Sequence, residues 1–205
     1  MHCGDASAKP LSQKLLERPR LLQRIRAEIR TPERAHLVCF NSTGLERTLA
    51  VRLSLPLHSV DPRLNDLGTK SGCREVFREA GIDFPYGHER LTTPDDIARA
   101  LSDIKQRDPG ARRAVVKLND GFSGEGNALF YYGDVRADDP DCTKRILDML
   151  PGEAMRYVGP GEDWDSFSQK YLEMQGIVES FVEGDDKASP STKDSQCPAF
   201  PDIFG

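Results

Sequence analysis

"KLNDGFSGEGNALFYY" (117–132) sets three glycines and a serine in the six positions 121–126, between two runs that read as strands and directly after a lysine. Glycine-dense backbone serves two purposes. It makes a hairpin turn that needs positive φ at several positions, or it lets the main chain approach a ligand closely, phosphate being the commonest. Two familiar phosphate loops do not fit. A P-loop ends in Gly-Lys-Ser/Thr and opens a helix, whereas Gly126 is followed by Asn127 and Ala128. A dinucleotide fingerprint spaces its glycines G-x-G-x-x-G and also enters a helix. Here the order is G-x-x-G-x-G, from Gly121 through Gly124 to Gly126, and "NALFYY" after it has the aromatic and branched residues of a strand. The unit therefore reads strand, glycine loop, strand. A hairpin of that kind can fold over a triphosphate as a lid. Alternation in "AVVKL" puts Val116 on one face and Val115 and Lys117 on the other, so the Lys117 amine points into whatever that face borders.

The remaining chain suits an ordinary soluble domain. Its 205 residues carry a formal net charge of −5, and no basic face suggests nucleic acid. No apolar run approaches a membrane span, and the first ten residues lack a signal-peptide centre. Five scattered cysteines without a CxxC pair, and four dispersed histidines, argue for free thiols in a reducing, cytoplasmic setting and against a zinc site.

Hydrophobic spacing predicts an α/β fold. Leu15, Leu16, Leu22, Ile25 and Ile29 mark helix over the first thirty residues, interrupted or restarted near Pro19. "HLVCF" (36–40), "NSTG" and "LERTLAVRL" read as strand, turn and helix, with Ser42 or Thr43 as cap. "LPLHSV" (55–60) supplies a second, parallel strand, so 31–68 reads as a Rossmann-like unit. Cys73, Val76, Phe77 and Ala80 predict an amphipathic helix stopped by Gly81. Thr93, Pro94, Asp95 and Asp96 sign the start of another, with Ile97, Leu101 and Ile104 as its buried stripe. Strands are expected at 114–118, 127–132 and 177–182, and helices near 141–150 and around "GEDWDSFSQKYLEMQ". From Ser189 the chain turns to Ser, Asp, Lys and Pro, the composition of a disordered tail.

In order, "TKSGCREVFREAGIDFP", "AVVKLNDGFSGEGNALFYY" and "GIVESFVEGDDKASPS" resemble the ATP-grasp superfamily. The likeness is nearest to the peptide-ligase branch typified by the pheganomycin ligase. "HLVCFNSTGLERTLAVRL" resembles the pre-domain of those enzymes, and residues 69–188 the N-terminal part of the ATP-grasp domain. The resemblance implies ATP as ligand. Lys70 and Lys117 would contact its phosphates, and Gly121, Ser123, Gly124 and Gly126 would form the lid. Glu179, Ser180, Phe181 and Val182 would form the hinge at the adenine edge, with Glu179 accepting from the exocyclic amine and Asp186 reaching the ribose. It also implies joining of a carboxylate to an amine through an acyl phosphate, with Mg²⁺ on the phosphates. The family's late metal-binding half has no counterpart here: the likeness stops near "KASPS", and residues 189–205 read as a non-family tail. Two expectations follow: a truncated ligase module that binds ATP with little chemistry, or a non-catalytic remnant or interaction module, as related domains are in eukaryotic IQ-motif proteins. In either, apolar surface is expected on the sheet face that the missing half would have met.

Overall fold

The computed structural model describes residues 4–121 and 126–184. Two short helices open the chain, α1 (Leu11–Leu16) and α2 (Pro19–Glu28), with Pro19 at the first position of α2, where its missing N–H costs nothing. β1 (Leu37–Val38) leads into α3 (Gly44–Leu53) and returns as β2 (Leu57–His58), parallel to β1. Thr43 makes the cap: its hydroxyl accepts from the Leu45 N–H, while Glu46 reaches back to the Thr43 N–H. Among the described residues this remains one β–α–β unit of two-residue strands, not an extended Rossmann-like sheet. Its small core joins Leu22 to Leu49 and Leu53.

The main body is a five-stranded antiparallel sheet. Its strands are β3 (Gly87–Leu91), β4 (Arg113–Leu118), β5 (Asn127–Tyr131), β6 (Met155–Tyr157) and β7 (Gly176–Ser180), in the order β3-β7-β4-β5-β6. Helices α5 (Pro94–Arg107), α6 (Cys142–Met149) and α7 (Trp164–Met174) supply the core on one face. There Ile97, Leu101 and Ile104, the stripe expected from sequence, pack with Ile146, Phe167 and Tyr171 against Val116, Phe130 and Val178. Each large apolar side chain so buried contributes about 1.5–3 kcal/mol.

β4 buries Ala114, Val116 and Leu118 and turns Arg113, Val115 and Lys117 to the opposite, half-covered face. The glycine loop connects two strands, as its sequence predicts. The Leu118 N–H donates to the Gly126 carbonyl at 2.8 Å and closes the hairpin, and Gly126 has φ +82°.

Three expectations are corrected. The last strand ends at Ser180, so Phe181 and Val182 lie beyond it. Helix α4 (Lys70–Glu79) stops before Gly81 as predicted, but it does not bury its apolar stripe. Its buried residues are Ser71, Gly72 and Arg74, while Val76 and Phe77 stay partly exposed. The sheet beneath α4 carries the carboxylates Glu89 and Glu179, and a buried carboxylate needs a cation more than a methyl group. Finally, the most exposed large apolar side chains are not on the main sheet. Phe40 (86%) and Val51 (73%) belong to the β–α–β region. The expected tail from Ser189 lies outside the described residues.

Candidate functional site

Lys70 is the first residue of α4, whose start is fixed by Thr69: its hydroxyl accepts from the Gly72 N–H at 3.0 Å. Asn119, at the end of β4, then ties this helix start to the root of the glycine loop. Its side-chain oxygen accepts from the Ser71 N–H (3.0 Å) and hydroxyl (2.7 Å), and its carbonyl accepts from the Lys70 N–H at 3.3 Å. The Lys70 Nζ lies 3.5 Å from that same carbonyl. Two residues distant in sequence, Lys70 and Lys117, are thereby brought to one place. Half-burial holds the Lys70 amine below the ordinary lysine value; repulsion by Lys117 adds to this, and Asp120 and Glu179 partly offset it.

Register sets Glu179 beside Lys117 on the same face: Val115 pairs with Glu179 and Lys117 with Ile177. The Lys117 Nζ donates to Glu179 Oε1, and Arg74 Nη1 donates to Glu179 Oε2 at 3.0 Å. Arg74 also donates to Glu89 Oε2 (3.2 Å) and to the Pro85 carbonyl (2.9 Å), and its guanidinium lies 4.7 Å from the Phe84 ring centre.

The structure thus gathers Lys70, Lys117 and Glu179. Gly121 and Gly126 stand at the two ends of the loop, while Ser123, Gly124 and Asp186 lie outside the described residues. Of the expected hinge, Ser180 spends its N–H on the Tyr86 carbonyl (2.7 Å), and Phe181 stacks under the Arg113 guanidinium at 3.8 Å. Val182 is largely exposed. Ser180 ends β7 opposite Ala114, three positions along the strand from Ile177, the partner of Lys117, and Phe181 and Val182 follow beyond the strand. Arg74, Ser71 and Asn119 were missed from sequence. The position of Arg74 inside an otherwise amphipathic helix, between Cys73 and Val76, was the available signal.

A cleft also borders the loop, between Leu118, Gly126, Glu162, Lys170 and Met174. Leu118 and Lys117 point to opposite faces of β4, so Leu118 meets this cleft from the helix-covered side, while Asp120 and Gly121 at the root of the loop also line it. Among the described residues no group of three or more His, Cys, Asp or Glu could hold a metal, and no helix is long and apolar enough to cross a membrane.

Comparison with known proteins gives the class first. Residues 62–148, a little under half of the chain, match the family model described as "IQCH-like, ATP-grasp", which supports an ATP-grasp-like domain containing α4, α5 and the glycine hairpin. A particular relative is IQ motif-containing protein H of Danio rerio, 28% identical over 111 residues, which cover 54% of this chain and 10% of that protein. The chain therefore corresponds to about a tenth of the length of this relative. No solved structure matches the chain.

Proposed function

We propose that this chain is an ATP-grasp-like nucleotide-binding module that takes the phosphates of ATP between Lys70, Lys117 and the glycine hairpin. One observation carries the reading. Two amines converge at the root of a glycine loop closely enough to repel each other, one of them at a helix N-terminus, where cations are disfavoured. A polyanion placed there removes the repulsion. Support comes also from the family match, which spans both Lys70 and Lys117.

Carboxylate–amine ligation through an acyl phosphate, the chemistry of the peptide-ligase branch, is a finer reading. Among the described residues no group of three or more His, Cys, Asp or Glu stands ready for a metal, and Mg²⁺ is taken by one or two carboxylates together with substrate oxygens. Glu179 does not fill that place, since both its oxygens are held by cations. No reaction step is assigned through the metal, and the role proposed for this chain is binding.

The test is calorimetric titration of ATP into the wild-type chain and into Lys117→Ala, beside an ADP-release assay with mixed carboxylates and amines. Binding by the wild type is expected. Loss of one charge-assisted contact of ~1.5–3 kcal/mol should weaken it roughly tenfold to a hundredfold in the variant. A wild-type chain that does not bind ATP overturns the proposal, and brisk ADP release would establish the ligase reading instead.

A further inference from the structure

We infer that Arg74 is the positioning residue that lets Lys117 change partners, holding Glu179 in place when Lys117 leaves it for an incoming phosphate. The inference rests on the reading of Lys117 as a phosphate-binding residue.

In the free protein Lys117 is not an idle cation. It is paired with Glu179, whose side chain is only 11% exposed, while the Lys117 side chain is 26% exposed. An anion that engages the Lys117 amine must draw it from that carboxylate. A carboxylate left buried without a cation is costly, and this cost would oppose binding. Arg74 removes the difficulty by geometry. It occupies the other oxygen of Glu179, so each oxygen has its own cation. Once Lys117 departs, Glu179 still has a partner with a 5% exposed side chain.

Arg74 is itself fixed. Glu89 and the Pro85 carbonyl take other N–H groups of its planar fork, and Glu89 is in turn bonded to Arg78. Phe84 lies against the guanidinium. A lysine could not reproduce this, since a fork that meets several acceptors in one plane is a property of arginine. The placement also accounts for the inverted burial of α4, in which Arg74 faces the sheet and the apolar Val76 and Phe77 do not.

The experiment uses inorganic tripolyphosphate as probe, so that recognition of a base plays no part, with ATP in parallel. Arg74→Met should bind tripolyphosphate about tenfold or more weakly than the wild type. Glu179→Gln should bind it more tightly, because Lys117 no longer has a charge to leave. Arg74→Met combined with Glu179→Gln should recover most of the lost affinity, since no buried charge is then stranded. A purely structural role for Arg74 would leave Glu179→Gln alone binding no more tightly than the wild type. Glu179→Gln keeps Arg74 with its bonds to Glu89 and the Pro85 carbonyl, so its binding tests the inference even where Arg74→Met does not fold. Unchanged or weaker binding by Glu179→Gln, or no recovery in the double variant, overturns the role of Arg74 alone. A wild-type chain that binds neither tripolyphosphate nor ATP overturns the nucleotide reading itself.

Discussion

Gly176 lies directly against the main chain of Lys117: a Cβ added at Gly176 would press into the Lys117 carbonyl and sit 2.5 Å from Cε2 of Tyr171. β7 and β4 can pair at this point only because residue 176 has no side chain. Gly176→Ala should therefore push apart the strands that carry Glu179 and Lys117. Overpacking of this kind costs about 1–3 kcal/mol. Urea unfolding should show that loss, and a wild-type midpoint would mean that the strands separate freely here.

The two lysines should not contribute equally to ATP binding. Lys117 is held on a strand beside Glu179, whereas Lys70 has its Nζ near the Asn119 carbonyl, at 3.5 Å. A side chain rooted within a paired strand loses less freedom on meeting a phosphate than one at a helix start. Lys117→Met should weaken ATP binding more than Lys70→Met, a difference that calorimetry on the two variants can rank. The opposite order would place the phosphates nearer the start of α4.

Binding should also depend on alkaline pH through Lys70. In the free protein half-burial, then Lys117, lower its affinity for a proton, and a bound polyanion restores it. Because the bound state holds the proton more tightly, affinity for tripolyphosphate should fall as pH rises through the lowered Lys70 pKa. In Lys70→Met the slope should be shallower, leaving only the titration of other groups. Equal slopes in the two proteins would remove Lys70 from the site. For stability the sign is the same in origin: the free fold disfavours charged Lys70, so this group makes folding more favourable as pH rises from its lowered pKa towards that of the unfolded chain.

At the start of α5, Asp96 accepts from the Thr93 N–H (2.9 Å) and hydroxyl (2.8 Å), while the Thr93 hydroxyl accepts from the Asp96 N–H (3.2 Å). The Thr93 N–H is the main cause that holds the Asp96 carboxyl well below the usual carboxylate range. Its folded pKa is depressed, so this stabilisation is complete above the unfolded value and is lost as pH falls towards the folded one. Thr93→Ala should cost ~0.5–2 kcal/mol at neutral pH. The gap between wild type and Asp96→Asn in urea midpoints should narrow on acidification; a gap independent of pH would show that the carboxylate charge has no part in the cap.

Local signals in the sequence were sufficient for most elements. The interruption at Pro19, the caps of α3 and α5, the Gly81 stop and the strand–loop–strand character of 117–132 all depend on residues within a few positions of one another. Backbone preference and side-chain periodicity act at that range. β3 and β6 escaped notice for the same reason. "GHERL" has no apolar alternation because its side chains are all half-buried, and "MRY" is too short to show a period.

The sequence by itself also determined which side of β4 carries Lys117, since alternation along a strand is a local rule. Only the tertiary structure decided what that lysine meets. Glu179 reaches it through strand pairing across sixty-two positions, and Lys70 through the bond of Asn119 to Ser71. The buried face of α4 was likewise a tertiary decision. Its apolar spacing favours Val76 and Phe77, yet the sheet presents the largely buried Glu89 and Glu179, and Arg74 turns inward to bond both. Charge compensation joins residues remote in sequence, and no periodicity along one segment records the charge of another.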